Sequence, residues 1–211
     1  DGRLLLRVPA EDVKFAPLLE GRFAPLLLGF CLLALLLRSG GAGAESLDPH
    51  AFVVRGGEVV LSDGQYFLDA EVDFNLSPAA TEALESGVPL TFELQIELTR
   101  PRRFWLDEVV VKMTQRYRVR YHALSERYVL TDLTTGDSRT FPTRTSVLNA
   151  LGTIRGLPLI ERRRLNPGQA YQIWLRAGLD VDDLPAPLKT GAYLSPQWRL
   201  LSDWHLWEFE A

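Results

Sequence analysis

Thr91-Phe-Glu-Leu-Gln-Ile-Glu-Leu-Thr99 alternates without a break. Phe92, Leu94, Ile96 and Leu98 fall on one parity; Glu93, Gln95 and Glu97 fall on the other. Period-two patterning of this kind marks a strand with one buried and one wetted face, as in an antiparallel sheet. The same pattern recurs on both sides. Leu68, Ala70, Val72, Phe74 and Leu76 alternate with Asp69, Glu71, Asp73 and Asn75. Tyr117, Val119 and Tyr121 alternate with Arg116, Arg118 and Arg120. Tyr128–Leu133, the turn Thr134-Thr-Gly-Asp137 and Ser138–Phe141 read as a hairpin. Tyr171–Leu179 reads as a further strand entered through Asn166-Pro-Gly168.

Helix is a minority. Ser77 before Pro78 is an N-cap signal, and Gly87 closes a short helix of about Pro78 to Ser86. A second runs from about Thr145 to Arg155, before Gly156. Pro185, Pro187 and Pro196 are expected to keep the following stretch irregular. Seven to nine strands and two short helices predict a mainly β chain, an antiparallel β-sandwich with immunoglobulin-like architecture among its forms.

The N-terminal region differs in composition. Phe23 to Leu37 contains no charge; Arg22 precedes it and Arg38-Ser-Gly-Gly-Ala-Gly-Ala44 follows. A basic flank, a short apolar run and a small-residue end predict a secretory signal peptide over residues 23–44, behind an extension over 1–22. Such a run covers roughly 22 Å as a helix against the ~30 Å of a bilayer core, so an N-terminal anchor is the second reading. Residues 45–56 read as a linker and 57–211 as one β-rich domain. The address expected is exported and periplasmic, with inner-membrane anchoring by residues 23–37 as the variant.

Charge and composition exclude several classes. The chain has 23 Lys+Arg against 27 Asp+Glu, net −4, and residues 1–44 hold five of the basic and four of the acidic ones. The remainder therefore carries net −5, unlike the basic footprint of a nucleic-acid binder. The only cysteine is Cys31, so the exported part has neither a disulfide framework nor a thiol nucleophile. No phosphate-binding loop, nucleophile elbow or zinc-helix motif occurs, and no cofactor or metal is expected.

Five features remain. Asp107 and Glu108 with His122 could serve general acid–base chemistry if they converged; otherwise the carboxylates pair with the arginines of Arg100-Pro-Arg-Arg103. Asp203 and His205 supply two metal-type ligands without a third, and Asp180-Val-Asp-Asp183 reads as a solvated turn. Arg116, Arg118 and Arg120 form a one-faced row able to hold an anion or an acidic partner surface, or to be neutralised by Glu93 and Glu97 on a neighbouring strand. Trp198, Trp204 and Trp207 either close the core or present an aromatic strip to a partner or acyl chain.

As an ordered set, Phe74-Asn-Leu-Ser77, Gly87-Val-Pro-Leu90 with Phe92, Glu97-Leu98-x-Arg100, Arg103-Phe-Trp105-x-Asp107-Glu108, Tyr121-His-Ala-Leu-Ser125 with Arg127-Tyr128, and Trp198 with Leu201-Ser-Asp-Trp204 resemble the proteobacterial domain of unknown function 4390 family over roughly residues 57–209. The resemblance implies an exported or membrane-anchored envelope protein, with a membrane sensor kinase as a kind of partner and no catalytic residue to carry over. Three functions are weighed on these grounds. The first is a non-catalytic interaction module acting with a membrane partner. The second is a lipid or glycolipid carrier using the space lined by Phe92, Ile96, Val119 and the tryptophans. The third is a hydrolytic enzyme built on Asp107, Glu108 and His122.

Overall fold

The computed structural model describes residues 52–103 and 105–211. The leader, and with it the expected signal or anchor, lies outside the described residues. Among the described residues no helix is long and apolar enough to cross a membrane.

Among the described residues nine strands form two antiparallel sheets of unequal width. The narrow sheet has the order β1-β2-β7, from Val53–Ser62, Gln65–Asp73 and Thr153–Glu161. The wide sheet has the order β6-β5-β4-β3-β8-β9, from Ser138–Phe141, Arg127–Asp132, Glu108–His122, Leu90–Arg100, Ala170–Leu179 and His205–Glu210. Alternation sets which face is buried. Leu90, Phe92, Leu94, Ile96 and Leu98 of β3 are all fully buried, as are Ile173, Leu175 and Ala177 of β8. Tyr66, Leu68, Ala70 and Val72 of β2 oppose them from the narrow sheet. Ring contacts tie the sheets together: Phe92 lies 5.9 Å from Phe52 and 5.3 Å from Phe74, and Tyr66 lies 5.3 Å from Phe209.

Among the described residues three α-helices flank the sheets: α1 (Pro78–Glu85), α2 (Arg144–Gly152) and α3 (Ala186–Leu194). The cap of α1 forms as the sequence predicts: the Ser77 side chain accepts from the Ala80 amide, and Gly87 takes a φ of 86° past the end. A capping box of Thr143 and Ser146 opens α2.

Several expectations change. α3 occupies the stretch expected to be irregular, because Pro185 is its N-cap and Pro187 lies in its first turn, where a missing N–H costs nothing. α2 stops at Gly152, short of the expected Arg155, because Thr153 already pairs with Glu71 and the chain turns directly into β7; Gly152 fits there because a Cβ would sit 2.0 Å from the Val72 carbonyl oxygen. β1 begins at Val53, inside the stretch read as linker, and Phe52 before it is already buried.

Candidate functional site

The arginine row lies on the outer face of the wide sheet, as its parity requires. Register pairs Arg116 with Glu93 and Arg118 with Thr91 on β3, and Arg118 with Thr131 and Arg120 with Val129 on β5. The row is not electrically uniform. Arg116 pairs with Asp180 and lies 3.1 Å from Glu93. Arg118 donates to Asp183 at 2.8 Å, and the Thr91 hydroxyl donates to the same carboxylate. Burial pushes the Asp183 carboxyl up, but the Thr91 and Arg118 hydrogen bonds outweigh it and hold it below its ordinary value. Asp180 and Asp183 close the segment after β8, so the turn expected to be solvated is what neutralises two of the three arginines. The acidic residues of β2 act within their own sheet: Asp73 pairs with Arg55, Glu71 with Arg155 at 2.8 Å, and Asp69 accepts from the Gly156 amide at 2.6 Å. Lys112 pairs with Glu97 at 2.6 Å, as row opposition predicts.

The candidate acid–base set is not brought together. Glu108 opens β4 and His122 closes it, 14 residue steps and about 46 Å apart in an extended strand. Glu108 instead receives both Arg102 and Arg100, which hold its carboxyl below the ordinary range. The Asp107 carboxylate accepts from the Arg102 amide and stabilises the β3–β4 turn. Trp105 and Leu106 protrude from this turn, 77% and 84% exposed.

The tryptophans do not form one strip. Trp198 is buried, in a 3-10 turn over Pro196–Trp198. Trp204 is partly exposed, with the Arg176 guanidinium 4.6 Å above its ring. Trp207 and Phe209 share the inner face of β9, opposite Ile173 and Tyr171. Trp207 packs over Gly57, where an added Cβ would lie 2.9 Å from its ring. The Asp203–His205 pair gains no third ligand: among the described residues no three side chains of His, Cys, Asp or Glu gather as a metal site.

A large concavity among the described residues follows from the unequal sheets. β1-β2-β7 covers only part of the inner face of the wide sheet, leaving a cleft of about 1080 Å³ between β4–β5–β6 and α2–β7. Met113, Tyr117 and Leu130 form one wall; Leu151, Leu157 and Pro158 form the other. Its floor carries a satisfied polar pair: Gln115 Nε2 donates to both Asp132 oxygens, at 3.1 and 3.0 Å. Asp132 also accepts from the Thr134 amide at 2.7 Å, which fixes the β5–β6 turn. Burial, then the nearby Asp132 carboxylate, pushes the Tyr117 hydroxyl above its ordinary value. By contrast, the space at Phe92, Ile96 and Val119, proposed from sequence for an acyl chain, is filled by those fully buried side chains. Nothing in the sequence marks the cleft, because its walls come from separate stretches of chain, 113–139 and 150–158, whose separation in space depends on how wide each sheet becomes.

No curated protein and no solved structure gives a significant match to this chain. A family described as Domain of unknown function (DUF4390) matches residues 50–208. That span takes in every strand but the last two residues of β9, both walls of the cleft and the whole arginine row. The chain belongs to the DUF4390 family.

Proposed function

We propose that the domain is a non-catalytic binding module of the cell envelope, which holds an apolar segment of a membrane partner in the cleft between β4–β5–β6 and α2–β7. The observation that carries the reading is the mismatch of six strands against three, which leaves apolar side chains of the inner face accessible in a concave site of about 1080 Å³. That volume lies just above the range for small-molecule sites, roughly 300–1,000 Å³. Both bordering edges resist strand addition. β7 carries Pro158, which has no N–H, Gly156 at a φ of 61°, and two register shifts, while β6 has only four residues. The occupant is therefore gripped by side chains and not by a backbone ladder. The charge-free run at residues 23–37 supports the envelope address and proximity to a membrane protein such as a sensor kinase.

A photo-crosslinking amino acid at Ser138 or Ala150, on the cleft, is expected to capture one dominant membrane protein in cells. The same probe at Glu58, on the narrow sheet, is expected not to. Ala150→Trp should abolish the capture while leaving the circular dichroism spectrum unchanged. Equal capture from both surfaces would overturn the reading. The apolar wall of Met113, Leu130, Leu151 and Leu157 favours a lipid carrier as the second reading. It predicts a co-purifying lipid mass in native mass spectrometry that Ala150→Trp removes.

A further inference from the structure

We propose that Arg118, Arg120 and Thr131 form a binding site for a phosphate group, presented either as the free ion or as a lipid headgroup. The site lies on the outer face of the wide sheet, away from the cleft, and stands independently of it. Strand register assembles it. Arg118 and Arg120 are two residues apart on β4 and share a face; Thr131 and Val129 lie opposite them on β5. Pro89, just before β3, completes the rim of a depression of about 250 Å³.

The charges within it are unevenly compensated. Arg116 has two carboxylates and Arg118 has one, but among the described residues no carboxylate lies within ion-pair distance of Arg120. The Arg120 contact is His122, with Nη2 2.7 Å from the ring Nε2. A guanidinium can only donate, so the ring nitrogen accepts in this contact and brings no anionic countercharge. The contact orients Arg120 without cancelling its charge. Arg118 spends one Nη on Asp183, and its Nε lies 3.4 Å from the Thr91 hydroxyl, which leaves further guanidinium donors unassigned. The Thr131 hydroxyl, 2.9 Å from that of Ser138, sits between the two strands as another polar group. Two guanidinium forks and a hydroxyl around a small depression suit the tetrahedral, multiply accepting oxygens of a phosphate. With Asp183 counted, one unit of positive charge remains, on a domain whose net charge is negative.

Isothermal titration calorimetry of the full chain with inorganic phosphate and with glycerophosphoglycerol, a deacylated lipid headgroup, tests the site. Saturable binding of at least one probe is expected. Arg120→Gln should weaken it about tenfold or more, whereas Arg116→Gln, whose charge is already matched by Glu93 and Asp180, should change it by less than about twofold. Tighter binding of inorganic phosphate assigns the free ion; tighter binding of the diester assigns the headgroup. Absence of binding to both probes, or equal losses in the two variants, would overturn the site. Arg120 is exposed, so Arg120→Gln is expected to keep the wild-type melting temperature, which separates lost binding from lost folding.

Discussion

Phe92 is the aromatic residue of the alternating run and is fully buried. Its ring meets Phe74 edge-on at 5.3 Å and Phe52 at 5.9 Å, joining the wide sheet to the narrow one. Phe92→Ala is expected to cost about 3–5 kcal/mol, from lost burial and the cavity left between sheets that cannot close. The drop in urea midpoint measures it. Asp183 acts through charge. Its folded carboxyl titrates below the ordinary value, so its bonds to Arg118 and Thr91 contribute stability above the unfolded pKa of about 3.9 and lose it as pH falls through the lower folded value. Asp183→Asn should cost on the order of 1 kcal/mol at pH 7 and flatten the acid-side decline between about pH 4 and 3. Denaturant melts at pH 7, 4 and 3 would show it; an unchanged pH profile would count against it. The arginine row was legible from parity alone. Glu93 was legible as a partner from the same parity and pairs with Arg116, but Asp180 and Asp183 were not, because they reach the row from more than 60 residues away, through a turn that has no periodic signal.

Elements differ in how openly their sequences declare them. β2, β3 and the second half of β4 bury one face only, so alternation displays them. α1 displays both of its ends: Ser77 is fully buried and caps the Ala80 amide at 3.1 Å. Ser77→Ala should therefore cost about 1 kcal/mol, read from thermal melts, with Ser77→Gly costing less. β7 stays hidden because Gly156 and Pro158 interrupt it and its register shifts twice, so no parity survives along it. α3 stays hidden because prolines suited to a first turn look like breakers when read alone. At the junction of α2 and β7, Gly152 is needed for space and not for an unusual φ. A methyl group would meet the backbone oxygen of Val72 at 2.0 Å, and neither backbone can move without opening β2. Gly152→Ala is thus expected to destabilise by about 2–3 kcal/mol or more, at the upper end of overpacking costs. A midpoint within error of wild type would show that α2 is free to shift outward.

At the scale of the whole molecule, the cleft and the core compete for the same inner face. Three strands cover the part around β3 and β8, and what they leave over β4–β5–β6 becomes the site. The narrow sheet must therefore be complete for either to exist, and β1 is its exposed flank. Gly57 lets β1 lie against β2 and under Trp207: a Cβ there would be 2.7 Å from the Asp69 carbonyl and 2.9 Å from the indole. Phe52 and Val54, upstream of Gly57, are buried in the core. A chain shortened to begin at Gly57 would lose both side chains and the first turns of the ladder from Val53↔Asp73 to Gly56↔Glu71. Removing the Phe52 ring alone should cost about 3–5 kcal/mol, against the 5–15 kcal/mol that holds a typical domain. A chain beginning at Leu47 is expected to unfold in one cooperative transition. One beginning at Gly57 is expected to melt at least about 10 °C lower, or to be largely unfolded at 37 °C. Calorimetry on the two chains decides it. Equal transitions would mean that Phe52 and the start of β1 lie against a core that is already closed without them.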